Sequence, residues 1–197
     1  QIFFEEMGIP KPNYNLGVQS LPHGAMTGRL LEKIETVLLK ESPDWVLVYG
    51  DTNSTLAGAL AASKLHIPIA HVEAGLRSFN KKMPEEINRV LTDHISTILF
   101  APTKIAMDNL IAENIDKKNI HIVGDVMFDA ILKYKKYLTR EPSILKQYNI
   151  QSGKYILATV HREENTSNNK NLKKIISAFQ TAPLPVITPF IQEQKKY

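Results

Sequence analysis

The 197-residue chain is 43% hydrophobic and 22% charged, with a net charge of +4. These fractions exclude collagen-like, coiled-coil and disordered architectures, and the absence of cysteine removes disulfides, thiolate metal sites and a cysteine nucleophile. No apolar run nears the roughly 18 residues of a membrane helix and no signal-peptide pattern opens the chain, so the expectation is a soluble cytoplasmic protein.

At roughly 150 residues per domain, the length predicts a little over one domain. Charge is divided unevenly: residues 1–128 hold 12 Lys and Arg against 15 Asp and Glu, whereas 129–197 hold 12 against 5. Such asymmetry suggests two regions with different tasks. Residues 1–7 read as the end of a helix stopped by Gly8 and Pro10. Apolar residues at Leu30, Leu31, Ile34, Val37 and Leu38 predict a helix over 27–40, broken at Pro43 and Asp44. The apolar run 45–49 predicts a strand, Ala-rich 56–65 a helix, 67–72 a strand, and Pro84 opens a helix to 96. Strand 98–101, helix 104–113, strand 120–123 and helix 125–137 follow. A basic, Pro-containing stretch covers 135–154, after which strand 155–160, helix 172–179 and strand 184–188 resume the pattern.

Repeated β-α-β units with continuous apolar strands predict an α/β fold with doubly wound parallel sheets covered by helices on both faces. The expected organisation is a first Rossmann-like domain at 1–137, a linker at 138–153 where periodicity is weakest, and the start of a second domain at 154–197. Gln1 in place of methionine, and a second region with only two strands and one helix, suggest a chain cut short.

Ligands of open parallel sheets bind outside the carboxyl ends of the strands, and three polar clusters are expected there. They are Gly50-Asp51-Thr52-Asn53, Glu73-Ala74-Gly75 with His71 inside the strand, and His161-Arg162-Glu163-Glu164-Asn165. Each has a structural alternative. Asp51, Thr52 or Asn53 can cap the following helix. Glu73 can belong to an ion pair, and His71 reads as a hydrogen-bonded core histidine. Pro84-Glu85-Glu86-Ile87-Asn88-Arg89 is a well-started helix, with Glu85 and Arg89 an i,i+4 pair. His161 and Arg162 suit a phosphate or water equally. Metal-ligand spacing, Walker and dinucleotide fingerprints are absent, as are nucleic-acid recognition modules. On physics alone the residues describe an enzyme-like sheet edge without a substrate.

Taken in order, Val48-Tyr49-Gly50-Asp51-Thr52-Asn53-Ser54-Thr55, His71-Val72-Glu73-Ala74-Gly75-Leu76-Arg77, Pro84-Glu85-Glu86-Ile87-Asn88-Arg89 and Thr159-Val160-His161-Arg162-Glu163-Glu164-Asn165 closely resemble the non-hydrolysing UDP-N-acetylglucosamine 2-epimerases. Phe100-Ala101-Pro102-Thr103 and Val123-Gly124-Asp125 extend the match. The resemblance implies a glycosyltransferase-B-like architecture of two Rossmann-like domains, here with the second incomplete. It implies a UDP-sugar substrate, no metal or redox cofactor, a homodimer and a role in polysaccharide biosynthesis; the missing recognition modules and apolar runs separately point to no nucleic-acid or membrane partner. The implied reaction eliminates UDP to give 2-acetamidoglucal and re-adds it with inverted configuration at C2. The family's catalytic carboxylates fall on Asp51, Glu73 and Glu85. Arg89 and His161 match further active-site positions, Arg89 to orient a carboxylate and His161, with Arg162 and Asn165, to contact substrate.

Departures accompany the match. The family's Gly-Thr-Arg-Pro-Glu loop would precede Gln1, and its Ser-Gly-Gly and Thr-Glu-Arg-Pro-Glu motifs would follow the last residue. Where a His-Pro pair is usual near the end, the chain reads Phe190-Ile191-Gln192-Glu193-Gln194. The expectation is a partial, weakly active or inactive form. Two rivals remain: a hydrolysing 2-epimerase, whose usual His-Gly-Gly-Glu-like sequence is replaced here by His71-Val72-Glu73-Ala74-Gly75, and a non-catalytic fragment that only binds.

Overall fold

A computed structural model describes residues 8–135, 143–160, 163–166 and 168–189. The helix expected at 1–7, together with His161, Arg162 and the tail from 190, lies outside the described residues. The chain divides into two compact units, residues 1–131 and 132–197.

In the first unit, α1 (His23–Glu41) begins four residues ahead of the expected start at 27. Pro22 leads into its first turn, which the Met26 amide closes on the Pro22 carbonyl at 2.8 Å. No stripe marks that turn, because Gly24 has no side chain and Ala25 only a methyl group. The helix ends where Ser42 turns left-handed and returns its amide to Leu38. Strand β1 (Val46–Tyr49) leads to α2 (Asn53–Lys64), and β2 (Ile69–Val72) to α3 (Pro84–Ile95). Strand β3 (Ile98–Ala101) precedes α4 (Lys104–Ala112), then a 3₁₀ turn at Lys117–Asn119, β4 (Ile120–Ile122) and α5 (Val126–Lys135).

The four strands pair in parallel in the order β1-β2-β3-β4. Register aligns Val48 with His71 and His71 with Leu99, so these residues share one sheet face. The buried core lies on the face that Val48, Ile69, Leu99 and Ile120 share. Val48 and Ile69 pack with Leu38 of α1 and with Ala59, Ala61 and Ala62 of α2. Leu99, Ala101 and Ile120 pack with Ala106 and Leu110 of α4. The Ala-rich sequence of α2 thereby gains a purpose: with Ala57, Ala59 and Ala62 wholly buried, methyl-sized side chains let the helix lie between α1 and the sheet. Leu47 and Tyr49, on the opposite face, are half exposed.

In the second unit, β5 (Ile156–Leu157) and β6 (Val186–Ile187) pair in parallel across α8 (Asn169–Gln180), with the short α7 (Glu163–Thr166) ahead of it. Asn168 caps α8 through the Lys170 and Asn171 amides, at 3.0 and 3.4 Å. Within the stretch read as a linker, α6 (Ser143–Gln147) forms and buries Leu145. Five residues are too few to display a helical period, so sequence pattern passed over it.

Candidate active site

Three connections at the carboxyl ends of β1, β2 and β4 and the amino-terminal half of α3 assemble one polar cluster. After β1, Gly50 adopts a left-handed φ of 65° and donates its amide to the Val72 carbonyl at 3.0 Å. Of the three cap candidates that follow, Thr52 takes the part. Its hydroxyl accepts the Thr55 amide, while the Thr55 hydroxyl accepts the Thr52 amide in a reciprocal capping box. Asp51 and Asn53 are thus released for other partners. Asp51 Oδ2 meets Arg89 Nη2 at 2.6 Å, and the Asn53 side-chain oxygen accepts from Asn88 at 3.1 Å. The same Asn88 amide reaches the Asp51 carbonyl at 2.9 Å, so α3 grips both ends of this loop.

The expected i,i+4 pair between Glu85 and Arg89 does not form as such. Arg89 Nε donates to the Glu85 carbonyl at 3.3 Å, and the guanidinium turns to Asp51 and, at 3.6 Å, to Glu86. A partly buried pair between two elements gains more than an exposed one along a helix surface. The Glu85 side chain is exposed, and among the described residues its carboxylate has no hydrogen bond or ion pair. Glu86, passed over by sequence reasoning, is buried. Its carboxylate accepts the Ser78 amide, the Ser78 hydroxyl and the Phe79 amide, each at 2.9 Å. Burial opposes its ionisation, but these donors and Arg89 outweigh burial and hold the carboxyl below its ordinary value. Glu86 thereby fastens the loop between Glu73 and α3.

Glu73 leaves β2 with a φ of 74°, a left-handed conformation uncommon outside glycine. Its amide and that of Ala74 both donate to the Phe100 carbonyl at 3.1 Å, which holds the turn. A β-carbon on Gly50 would lie 3.4 Å from Glu73 Oε2, so the carboxylate rests over the Gly50 backbone. The Glu73 carboxyl is raised above its ordinary value, first by partial burial and then by the neighbouring Asp51 and Asp125 carboxylates, with Arg89 and His71 opposing. Among the described residues no hydrogen bond or ion pair claims that carboxylate. Asp125, which also caps α5 through the Met127 amide at 2.8 Å, is a further acidic member that sequence reasoning did not assign to the site.

Beneath the carboxylates lies a buried polar hub. His71, wholly inaccessible, places Nδ1 2.7 Å from Asp93 Oδ1 and Nε2 2.8 Å from the Gly50 carbonyl. Asp93 Oδ2 accepts the Gly75 amide at 3.1 Å and Arg77 Nη1 at 2.8 Å. Arg77 closes a two-pronged pair with Glu113, both contacts at 2.7 Å. Burial disfavours the guanidinium charge, yet Glu113 and Asp93 more than offset it and drive its proton affinity upward. Asn88, Thr92 and Asp93 are therefore buried with Glu86, while Ile87 and Leu91 of the same helix are 46% exposed. Glu86 and Asp93, seven residues apart, share a helix face, and that polar recurrence was the available signal.

The second unit carries Asn165 on α7, partly buried; His161 and Arg162, expected beside it at the site, lie outside the described residues.

A family model described as UDP-N-acetylglucosamine 2-epimerase matches residues 1–194. A Methanococcus maripaludis protein named a UDP-N-acetylglucosamine 2-epimerase homolog is 59% identical across 100% of this chain and 55% of its own length. A Pseudomonas aeruginosa UDP-2,3-diacetamido-2,3-dideoxy-D-glucuronate 2-epimerase is 54% identical over 96% of this chain and 53% of its own. The crystal structure of the Methanocaldococcus jannaschii UDP-GlcNAc 2-epimerase, in complex with UDP-GlcNAc and UDP, superposes with a TM-score of 0.89 at 49% identity. It covers 99% of this chain, which spans 55% of it. The chain spans about half the length of the curated relatives it matches. With a whole-chain family match, close relatives and the glycosyltransferase-B-like architecture of its structural neighbours, this chain belongs to the UDP-N-acetylglucosamine 2-epimerase family.

Proposed function

We propose that the protein carrying this chain inverts C2 of UDP-N-acetylglucosamine to give UDP-N-acetylmannosamine without releasing free sugar. A carboxylate takes the C2 proton while the C1–O bond breaks and UDP departs with the bonding electrons, leaving 2-acetamidoglucal. A proton returned to the opposite face of C2, with attack of the UDP oxygen on C1, completes the inversion. The observation that carries this reading is the Glu73 carboxyl, raised by burial and by Asp51 and Asp125 and unclaimed by any partner among the described residues. A proton-transfer group gains efficiency as its pKa moves toward the working pH. Arg89 fixes Asp51 as a second carboxylate beside it, and Glu85 is the third. Arg162 and Asn165 contact the substrate with His161, which meets the diphosphate, whose growing charge needs compensation as it leaves. The assembly is a cytoplasmic homodimer that supplies a sugar nucleotide for polysaccharide synthesis.

The test is C2 exchange in deuterated water followed by proton NMR. The protein incorporates deuterium at C2 of both epimers, whereas Glu73→Gln incorporates none; normal exchange in that variant overturns the assignment. Accumulation of free N-acetylmannosamine points to the hydrolysing reaction, and UDP binding without exchange to a non-catalytic binder. The Pseudomonas relative acts, by its name, on UDP-2,3-diacetamido-2,3-dideoxy-D-glucuronate, so that sugar nucleotide is offered in parallel to decide the C3 and C6 preference.

A further inference from the structure

We propose that His71 is a positioning residue for the Asp51 and Glu73 carboxylates, acting as a doubly protonated imidazole clamped between the Asp93 carboxylate and the Gly50 carbonyl. The geometry assigns the protons. A carbonyl oxygen only accepts, so the 2.8 Å contact to Gly50 requires hydrogen on Nε2. The 2.7 Å contact of Nδ1 to Asp93 Oδ1 then needs one proton, on the ring or on the acid. Asp93 Oδ2 already receives the Arg77 guanidinium at 2.8 Å and the Gly75 amide at 3.1 Å. An acceptor so surrounded is ionised, and the proton belongs to His71.

The consequence is both mechanical and electrostatic. Three segments meet on this ring: β2, which leads into Glu73; the loop after β1, which carries Asp51; and α3, which carries Arg89 and Asp93. Losing the ring frees the carbonyl of Gly50, whose backbone lies beside the Glu73 carboxylate. It also removes a buried cation from behind the acidic cluster. The groups facing Glu73 are Asp51 after β1, Asp125 after β4, Arg89 of α3 and His71 of its own strand. Those facing His71 are Asp93 of α3, with Arg77 behind it, and the Gly50 carbonyl. With His71 neutralised, two carboxylates oppose a single remaining cation, and the Glu73 carboxyl rises further.

Two arms test this. The first is nitrogen-15 NMR of the histidine rings in the intact protein, with His71 assigned through its own backbone amide so that no variant need fold. Both ring nitrogens are expected in the protonated range at neutral pH; an unprotonated nitrogen on His71 overturns the proposal. The second arm rests on the epimerase reading. His71→Gln is expected to lower kcat by about a hundredfold, the scale of a small misplacement of reacting groups, with KM nearly unchanged. The limb of the pH–rate profile that belongs to Glu73 moves to higher pH. A limb that stays in place while only thermal stability falls marks a purely structural histidine and refutes the positioning role. Should the wild-type protein show no C2 exchange, the epimerase reading fails alone, and the NMR arm still decides the clamp.

Discussion

Replacing Gly75 with alanine tests whether the turn that delivers Glu73 to the cluster depends on close backbone approach. Gly75 has a φ of 81°, and a β-carbon there would lie 2.3 Å from the Ala106 carbonyl oxygen, 2.8 Å from its carbonyl carbon and 2.9 Å from Leu110 Cγ. Two costs combine. A left-handed conformation costs an L-residue about 1–2 kcal/mol. Forcing a methyl against helical backbone, which no rotamer change relieves, adds about 1–3 kcal/mol. The sum, about 2–5 kcal/mol, is a large share of the roughly 5–15 kcal/mol that stabilises an ordinary domain. Urea unfolding monitored by circular dichroism measures it, with Gly17→Ala as reference. Gly17 has a φ of 61° and nothing within 4 Å of its would-be β-carbon, so that variant bears only the first cost. If Gly75→Ala is no more destabilising than Gly17→Ala, the packing argument is wrong.

Arg77→Met is expected to cost about 3–5 kcal/mol by urea unfolding, because it leaves the wholly buried Asp93 with one cation fewer; a loss under about 1 kcal/mol would show that the hub is not charge-balanced by Arg77. Glu86 and Glu113 both have depressed carboxyls. Burial is overcome by backbone and hydroxyl donors at Glu86, and the Arg77 hydrogen bond leads at Glu113. Their stabilisation is present above the ordinary value of 4.5 and is lost as pH falls below it through their depressed values. The melting temperature should therefore drop below pH 4.5 more steeply in the wild type than in a Glu86→Gln/Glu113→Gln variant, and parallel curves would contradict this. Glu73 has the opposite sign. Its ionisation costs stability as pH rises above 4.5, so Glu73→Gln should melt higher than the wild type at pH 8 and show no gain near pH 4.

The α/β class was legible because its signal is local. Apolar runs such as 98–101 and 120–123 are strand-length and bounded by turn residues, and the stripe of α1 follows the helical period; strands at 98–101 and 120–122 and the helix at 23–41 formed there. Boundaries slipped where side chains carry little pattern, as in the first turn of α1 and in the five-residue α6. Thr52 as the cap could not be separated from Asp51 and Asn53, because all three side chains offer an oxygen at the right place. The partner of Arg89 was misjudged for a related reason. Helical spacing names Glu85, but Asp51 is brought within 2.6 Å only when α3 packs against the loop after β1.

By itself, then, the amino-acid order determined the alternation of strands and helices, the parallel class of the sheet and the family to which the ordered motifs point. Only the tertiary structure decided what the polar residues do. It set Glu73 over the Gly50 backbone among Asp51, Asp125 and Arg89. It also turned the polar face of α3 inward, with Ile87 and Leu91 outward. The reason is physical. Periodicity reports which face of a helix is apolar, whereas a buried His71 or Asp93 is tolerated only through donors and acceptors from segments about 20 residues away in the chain. Those partners exist once the sheet has formed.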